Sequence, residues 1–205
     1  MKIELRNIKF SEEATKETYA YTANLFIGGK RAGIAENKGN GGETIIKANN
    51  ERGQKLIDQA ERWCRSLLSE EAQMNRHPLS MELPYYADEL ITEYIIQTEL
   101  DKSMQKGIVF GVPDGTSYYI QTYAVPFSGV LIHPKGPEII ANTISNKIFK
   151  DLKDGVKILN TNIPESILKM AGLSADQYVK PNVADIKTNY PLERQSENNY
   201  RNRTR

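Results

Sequence analysis

The chain has 205 residues and one cysteine, Cys64, so no intramolecular disulfide can form and no thiolate cage can hold a metal. That usage fits a reducing compartment. Histidine is nearly as scarce. His77 precedes Pro78 and His133 precedes Pro134, neither at ligand spacing from another His or Cys, and HExxH does not occur. GxSxG and GxxxxGK[ST] are missing too, which removes the commonest serine-nucleophile and phosphate-loop signatures. No run approaches the ~20 apolar residues of a membrane span. The first ten residues, MKIELRNIKF, lack the unbroken apolar core of a secretory signal. An excess of charge is also lacking: Lys+Arg 27 against Asp+Glu 26 leaves +1, so only local clusters can argue for a polyanionic partner. A cytoplasmic protein with no membrane association, no metal and no cofactor is the expectation.

What is present is clear patterning over residues 18–68. Tyr19, Tyr21, Ala23, Leu25 and Ile27 alternate onto one face of a strand. Gly28-Gly29 suits a two-residue hairpin turn, and residues 30–36 return with Ala32 and Ile34 expected on one face. An earlier strand carries Ile3, Leu5, Ile8 and Phe10, and a short one is expected at 43–47. After Asn49 or Asn50 as cap, Leu56, Ile57, Ala60, Trp63, Cys64, Leu67 and Leu68 form a helical stripe. That stripe needs the apolar hairpin face as its partner.

Residues 69–83 are polar and read as a boundary. A second helix is expected from Pro84 to Gly107, burying Ala87, Leu90, Ile91, Tyr94 and Ile95. Residues 108–112 and 118–123 flank the turn sequence PDGTS as a second hairpin. Pro137 opens a helix with Ile140, Ile144, Ile148 and Leu152 on one side, and Gly155 ends it. A strand at 156–159 and a short helix from Pro164 to Gly172 complete the pattern. The fold class is therefore α+β, antiparallel β-hairpins packed against amphipathic helices. Three parts are expected: a β-hairpin/helix subdomain (1–70), a second α+β subdomain (84–181), and a polar, locally basic tail (182–205).

The candidate binding site is the loop NKGNGG. Gly39, Gly41 and Gly42, with Asn40 among them, lie between strand and helix, where backbone N–H groups can cradle an anion. Lys30, Arg31 and Lys38 are the cations near it in sequence. The plainer reading is a connector that uses glycine for its turns. Cys64, beside Trp63 on the apolar stripe, reads as a small buried hydrophobe. Glu12, Glu13, Asp88, Glu89, Glu93, Glu99 and Asp101 are explained by solvated faces, so no catalytic residue is assigned.

Nucleic-acid readings have specific gaps. The strand–strand–helix order resembles the latter part of a double-stranded RNA-binding domain, but the helix opens ANNERGQK without the basic cluster expected there. PESILKMAGLSADQYVK resembles a helix-turn-helix whose recognition helix Pro181 would cut short. In the tail, Arg201, Arg203 and Arg205, beside Tyr200, form a candidate arm for phosphate, an acidic partner or a neighbouring subunit.

Ser11-Glu12-Glu13, the aromatic strand 19–27, Gly29-Lys30, Gly33 and the loop 37–42 together resemble a family of small uncharacterised proteins carried by bacteriophages and mobile elements. LDKSMQKGIVF at 100–110 is similar to that family's entry into its second hairpin, while Asn40 and Gly28 depart from its pattern. The resemblance implies a phage or mobile-element origin and carries over no catalytic residue. The expectation is a non-enzymatic binding protein, a counter-defence or host-interaction factor with a protein partner or anionic ligand. The alternatives are a virion-associated homo-oligomer whose arm docks on a neighbour, and a nucleic-acid-binding protein.

Overall fold

A computed structural model describes residues 1–71, 82–113, 115, 117–182 and 184–186. The side chain of Leu68, together with His77, Pro78, Tyr200 and the tail arginines Arg194, Arg201, Arg203 and Arg205, lies outside the described residues. The fold is α+β, with a four-stranded and a three-stranded antiparallel sheet. The chain divides into two compact units, Met1–Thr98 and Glu99–Arg205.

In the first unit β1 (Ile3–Ser11), β2 (Ala20–Ile27), β3 (Lys30–Lys38) and β4 (Ile45–Ala48) form a meander in sequence order. Gly28 and Gly29 take φ of 57° and 77°, the left-handed turn that joins β2 to β3. Tyr21, Ala23, Leu25 and Ile27 are buried on one face, as their alternation demands. The return strand departs from simple alternation. Leu25 pairs with Gly33 and Phe26 with Arg31, so Ala32 is an extra residue. The bulge turns Ala32 and Ala35 into the core and puts Ile34 opposite Asn24 on the other face, not beside Ala32.

Helix α1 (Glu51–Glu71) is capped by Asn50, whose side-chain oxygen accepts the Gly53 N–H at 2.9 Å. Ile57, Ala60 and Cys64 are buried with Leu25, Ile27 and Ala32. Helix α2 (Leu83–Met104) buries Leu83, Ala87, Ile91 and Ile95. Those residues step by four, 40° more than a full turn each time, so the contact line moves round the helix as it crosses the sheet. This is why Tyr94, although on the expected stripe, is 42% exposed. Leu83 joins the core with α1, and Ile91 and Ile95 join Tyr21, Ala23 and Ala35. The second helix, which the sequence reading gave to the second subdomain, thus begins inside the first unit.

The second unit centres on β5 (Gly107–Gly111), paired antiparallel with β6 (Tyr118–Thr122) and β7 (Lys157–Ile158). Helix α3 (Phe127–Ile132) is not legible in the sequence, because Pro126, Gly129 and Pro134 read as loop; Phe127 is nevertheless fully buried. Helix α4 (Gly136–Thr143) passes into a π-helical turn, Ile144–Ile148, and a 3-10 turn, Phe149–Asp151. Ile140, Ile144, Ile148 and Leu152 recur every four residues, and a wider turn holds that period on one face better than 3.6 residues per turn can. Helix α5 (Glu165–Met170) follows Pro164, and after Gly172 the chain makes a turn and bridges Tyr178 to Ile158. Residues 173–180 contain no helix, so the helix-turn-helix resemblance has no recognition helix.

Asn160 and Asn162 are buried polar residues of this unit. Asn160 accepts the Val109 N–H at 2.6 Å and donates to the Gly107 carbonyl at 3.1 Å and to Asn162 at 2.8 Å. Asn162 in turn donates to the Met104 carbonyl at 3.0 Å. Two adjacent amides thereby tie the end of α2 and strand β5 to one loop.

Candidate functional site

The glycine loop and its presumed cations do not converge. Lys30 and Arg31 stand at the β2–β3 hairpin, whereas Lys38 and residues 39–42 stand at the far end of β3. Eight strand steps at about 3.3 Å separate the two groups by roughly 26 Å. Arg31 bonds Asn24 on the outer sheet face at 2.8 Å. Lys38 alone among these cations stays with the loop.

Two of the loop's own backbone donors are engaged. The Gly39 N–H donates to Asn37 Oδ1 at 2.9 Å and the Gly41 N–H to Thr18 Oγ1 at 3.3 Å. Three successive N–H groups, of Lys16, Glu17 and Thr18, point at the Gly39 carbonyl at 3.0–3.4 Å. The concavity that those three N–H groups form is occupied by the chain's own oxygen, that of Gly39. Glycine is required here by conformation and space: φ is 84° at Gly39 and 81° at Gly41, and a Cβ on Gly39 would lie 2.4 Å from the Ala14 carbonyl oxygen. The loop is a clasp that fixes residues 14–18 against the sheet.

Asn37 is the hub of that clasp. It accepts from Thr18 at 3.0 Å and donates to the Gly42 carbonyl at 3.0 Å and to Thr44 Oγ1 at 3.2 Å. Thr44 is buried; its hydroxyl donates to Asp88 Oδ1 and meets the Tyr21 hydroxyl at 3.0 Å, which also reaches Asp88 at 3.3 Å. Strands β2 and β3, the start of β4 and helix α2 therefore share one polar network. Burial pushes the Asp88 carboxyl above its ordinary range, against the bonds from Thr44 and Tyr21 that favour its charge. Burial, reinforced by the Asp88 charge, pushes the Tyr21 hydroxyl upward.

Two surface clefts meet at Asp88. One runs along residues 15–19, with Glu17, Thr18 and Tyr19 on its wall and Lys16 as its cation; the other runs along α2 past Tyr85, Glu89, Thr92 and Glu93. Tyr19 and Tyr85 are 37% and 55% exposed, and Tyr19 meets Phe10 edge-on at 6.0 Å between ring centroids. Sequence reasoning places Asp88 and Glu89 only as charges of a solvated face. Its missed signal was a carboxylate directly after the buried Ala87 and about one turn before the buried Ile91, on the edge of the apolar stripe.

The remaining sequence candidates resolve simply. Cys64 is fully buried, and burial beside Glu61 pushes its thiol up to about 11, so it is protonated and sealed from solvent at neutral pH. His133 is exposed, its Nδ1 accepting the Lys135 N–H at 3.1 Å. Among the described residues no helix is long and apolar enough to cross a membrane, and no group of three His, Cys, Asp or Glu is placed to hold a metal ion. Fold and site define an α+β protein with a polar groove at one end of its larger sheet. No protein-family model matches the chain, and no curated protein or solved structure matches it.

The Asp88 network sets a pH signature. A carboxyl whose folded pKa is raised contributes stability that is full below its unfolded value, about 3.9, and is lost as pH rises through the folded value. Asp88→Asn removes that titration. The stability of the wild type minus that of the variant, from urea titrations at successive pH values, is expected to fall as pH rises above about 4 and then level off. A difference that stays flat or rises would contradict the geometry.

Proposed function

We propose that this chain is a non-enzymatic, cytoplasmic binding protein of phage or mobile-element origin that takes a cation-bearing segment of a protein partner into the Asp88 groove. A host-interaction or counter-defence role fits that activity. The origin rests on the resemblance carried by Ser11-Glu12-Glu13, the strand 19–27 and the loop 37–42. The binding reading rests on one observation: two clefts share a half-buried carboxylate and are edged by tyrosine rings and further carboxylates. An arriving ammonium or guanidinium offsets the cost of holding Asp88 charged in a partly dehydrated place. The faces of Tyr19 and Tyr85 attract the same charge. The glycine clasp serves this groove indirectly, by holding the wall at residues 15–19.

The test uses charge reversal on exposed positions. Glu17→Lys with Glu93→Lys is expected to weaken an isolated partner at least tenfold at low salt, with the loss shrinking at 1 M salt. Lys30→Glu with Arg31→Glu is expected to leave that affinity unchanged. The reverse pattern, loss with the basic pair and none with the acidic pair, would overturn the assignment.

A further inference from the structure

The second unit carries an open cleft that the Asp88 reading does not use. Its floor is a cross-strand aromatic pair: Phe110 on β5 lies opposite Tyr119 on β6, with ring centroids 5.5 Å apart and planes 25° from parallel. Stacked cross-strand pairs stabilise hairpins without any ligand. This one covers only one face of Tyr119, which is 69% exposed. The rim is the turn that leads into β7 and supplies Asp151, Lys153 and Asp154. That turn is fixed: Leu152 is buried, and the Leu152, Lys153 and Val156 N–H groups donate to the carbonyls of Phe149, Asp151 and Lys153 at 3.0–3.2 Å. Pairing of Phe110 with Ile158 and of Gly111 with Lys157 draws the end of the turn to the aromatic floor.

The lining selects among ligands. A planar ring is the natural partner of a half-covered aromatic face. A guanidinium would suit the ring and both carboxylates but would meet Lys153 unfavourably. A simple anion would suit Lys153 but would leave the Tyr119 face uncovered and offer no donor to Asp151 and Asp154. A nucleotide satisfies every group: its base stacks on Tyr119, its amino or ribose hydroxyl groups donate to the carboxylates, and its phosphate meets Lys153. The cleft volume, about 510 Å³, accommodates a ligand of that size. We propose that the Phe110–Tyr119 cleft is a nucleotide-binding site, reading one stacked base with a phosphate at Lys153.

The test titrates the full chain with adenosine 5′-monophosphate, adenosine, inorganic phosphate, arginine amide and an eight-nucleotide single-stranded oligoadenylate, followed by calorimetry. Saturable binding of the monophosphate, at least tenfold tighter than adenosine, is expected. Lys153→Gln should abolish that preference. Tyr119→Ala should weaken binding at least tenfold, whereas Tyr119→Phe should retain it. Tyr119 is exposed, so circular dichroism should show all variants folded. Tighter binding of the oligonucleotide than of the monophosphate assigns a polymer as the source of the nucleotide; equal affinity assigns the free nucleotide. Absence of saturable monophosphate binding, binding indifferent to Tyr119→Ala, or preference for arginine amide would overturn the assignment.

Discussion

Asn160→Ala is expected to destabilise the second unit by about 3–5 kcal/mol, among the larger effects a single truncation produces. The side chain is fully buried and satisfies two backbone groups of β5 that no other strand pairing reaches from that side. Truncation leaves the Val109 N–H without its 2.6 Å acceptor and the Gly107 carbonyl without a donor. It also leaves Asn162 Oδ1 short of the bond from Asn160. Each stranded group costs about 1–3 kcal/mol, because water cannot replace the lost partner. Hydrogen exchange reads this directly: the Val109 amide should lose protection by orders of magnitude, ahead of any change in the first unit. Asn160→Asp keeps the acceptor for Val109 and loses both donated bonds, so it should fall between wild type and alanine. Unaltered protection at Val109 in the alanine variant would refute this account.

Gly39→Ala should cost about 3 kcal/mol, and Gly41→Ala about 1 kcal/mol, although the two glycines are neighbours in one loop and share the same left-handed φ. What differs is the obstacle. A Cβ at Gly39 would meet the Ala14 carbonyl oxygen at 2.4 Å and the Ala20 Cβ at 2.8 Å, both tied to backbone. At Gly41 it would meet Glu17 Oε2 at 2.2 Å, the end of an exposed side chain that can swing away. Chemical denaturation of the two variants should therefore separate them by about 2 kcal/mol, with Gly39 the costlier. Equal losses would mean that the backbone turn alone, and not the close approach of residue 14, makes glycine necessary. Because the clasp holds the wall of the Asp88 groove, Gly39→Ala should also weaken partner binding at that groove, while Gly41→Ala should weaken it less.

Several elements were legible because their signal is local. The alternation from Tyr19 to Ile27, the Gly28-Gly29 turn and the Asn50 cap each need only a few neighbouring residues to act. Helix α3 and the π-helical turn were not, since proline and glycine at 126, 129 and 134 read as loop and the four-residue isoleucine period suits an ordinary helix almost as well. The bulge at Ala32 was also hidden: one extra residue reverses the facing of Ile34 without changing composition. The loop 37–42 was visible as a special place, and the attribution of Lys30 and Arg31 to it rested on closeness in sequence. Along an extended strand, closeness in sequence becomes distance in space.

The sequence by itself determined that this is an α+β chain with one cysteine, amphipathic helices and a glycine loop between strands, because periodicity and turn chemistry act over a few residues. Only the tertiary structure decided what the loop is for and where the groove lies. Thr44 and Tyr21 reach Asp88 from 44 and 67 residues away, and Asn160 reaches Val109 from 51. Hydrogen bonds over such separations depend on how a sheet and its helices close together, and they leave no pattern in the residues between.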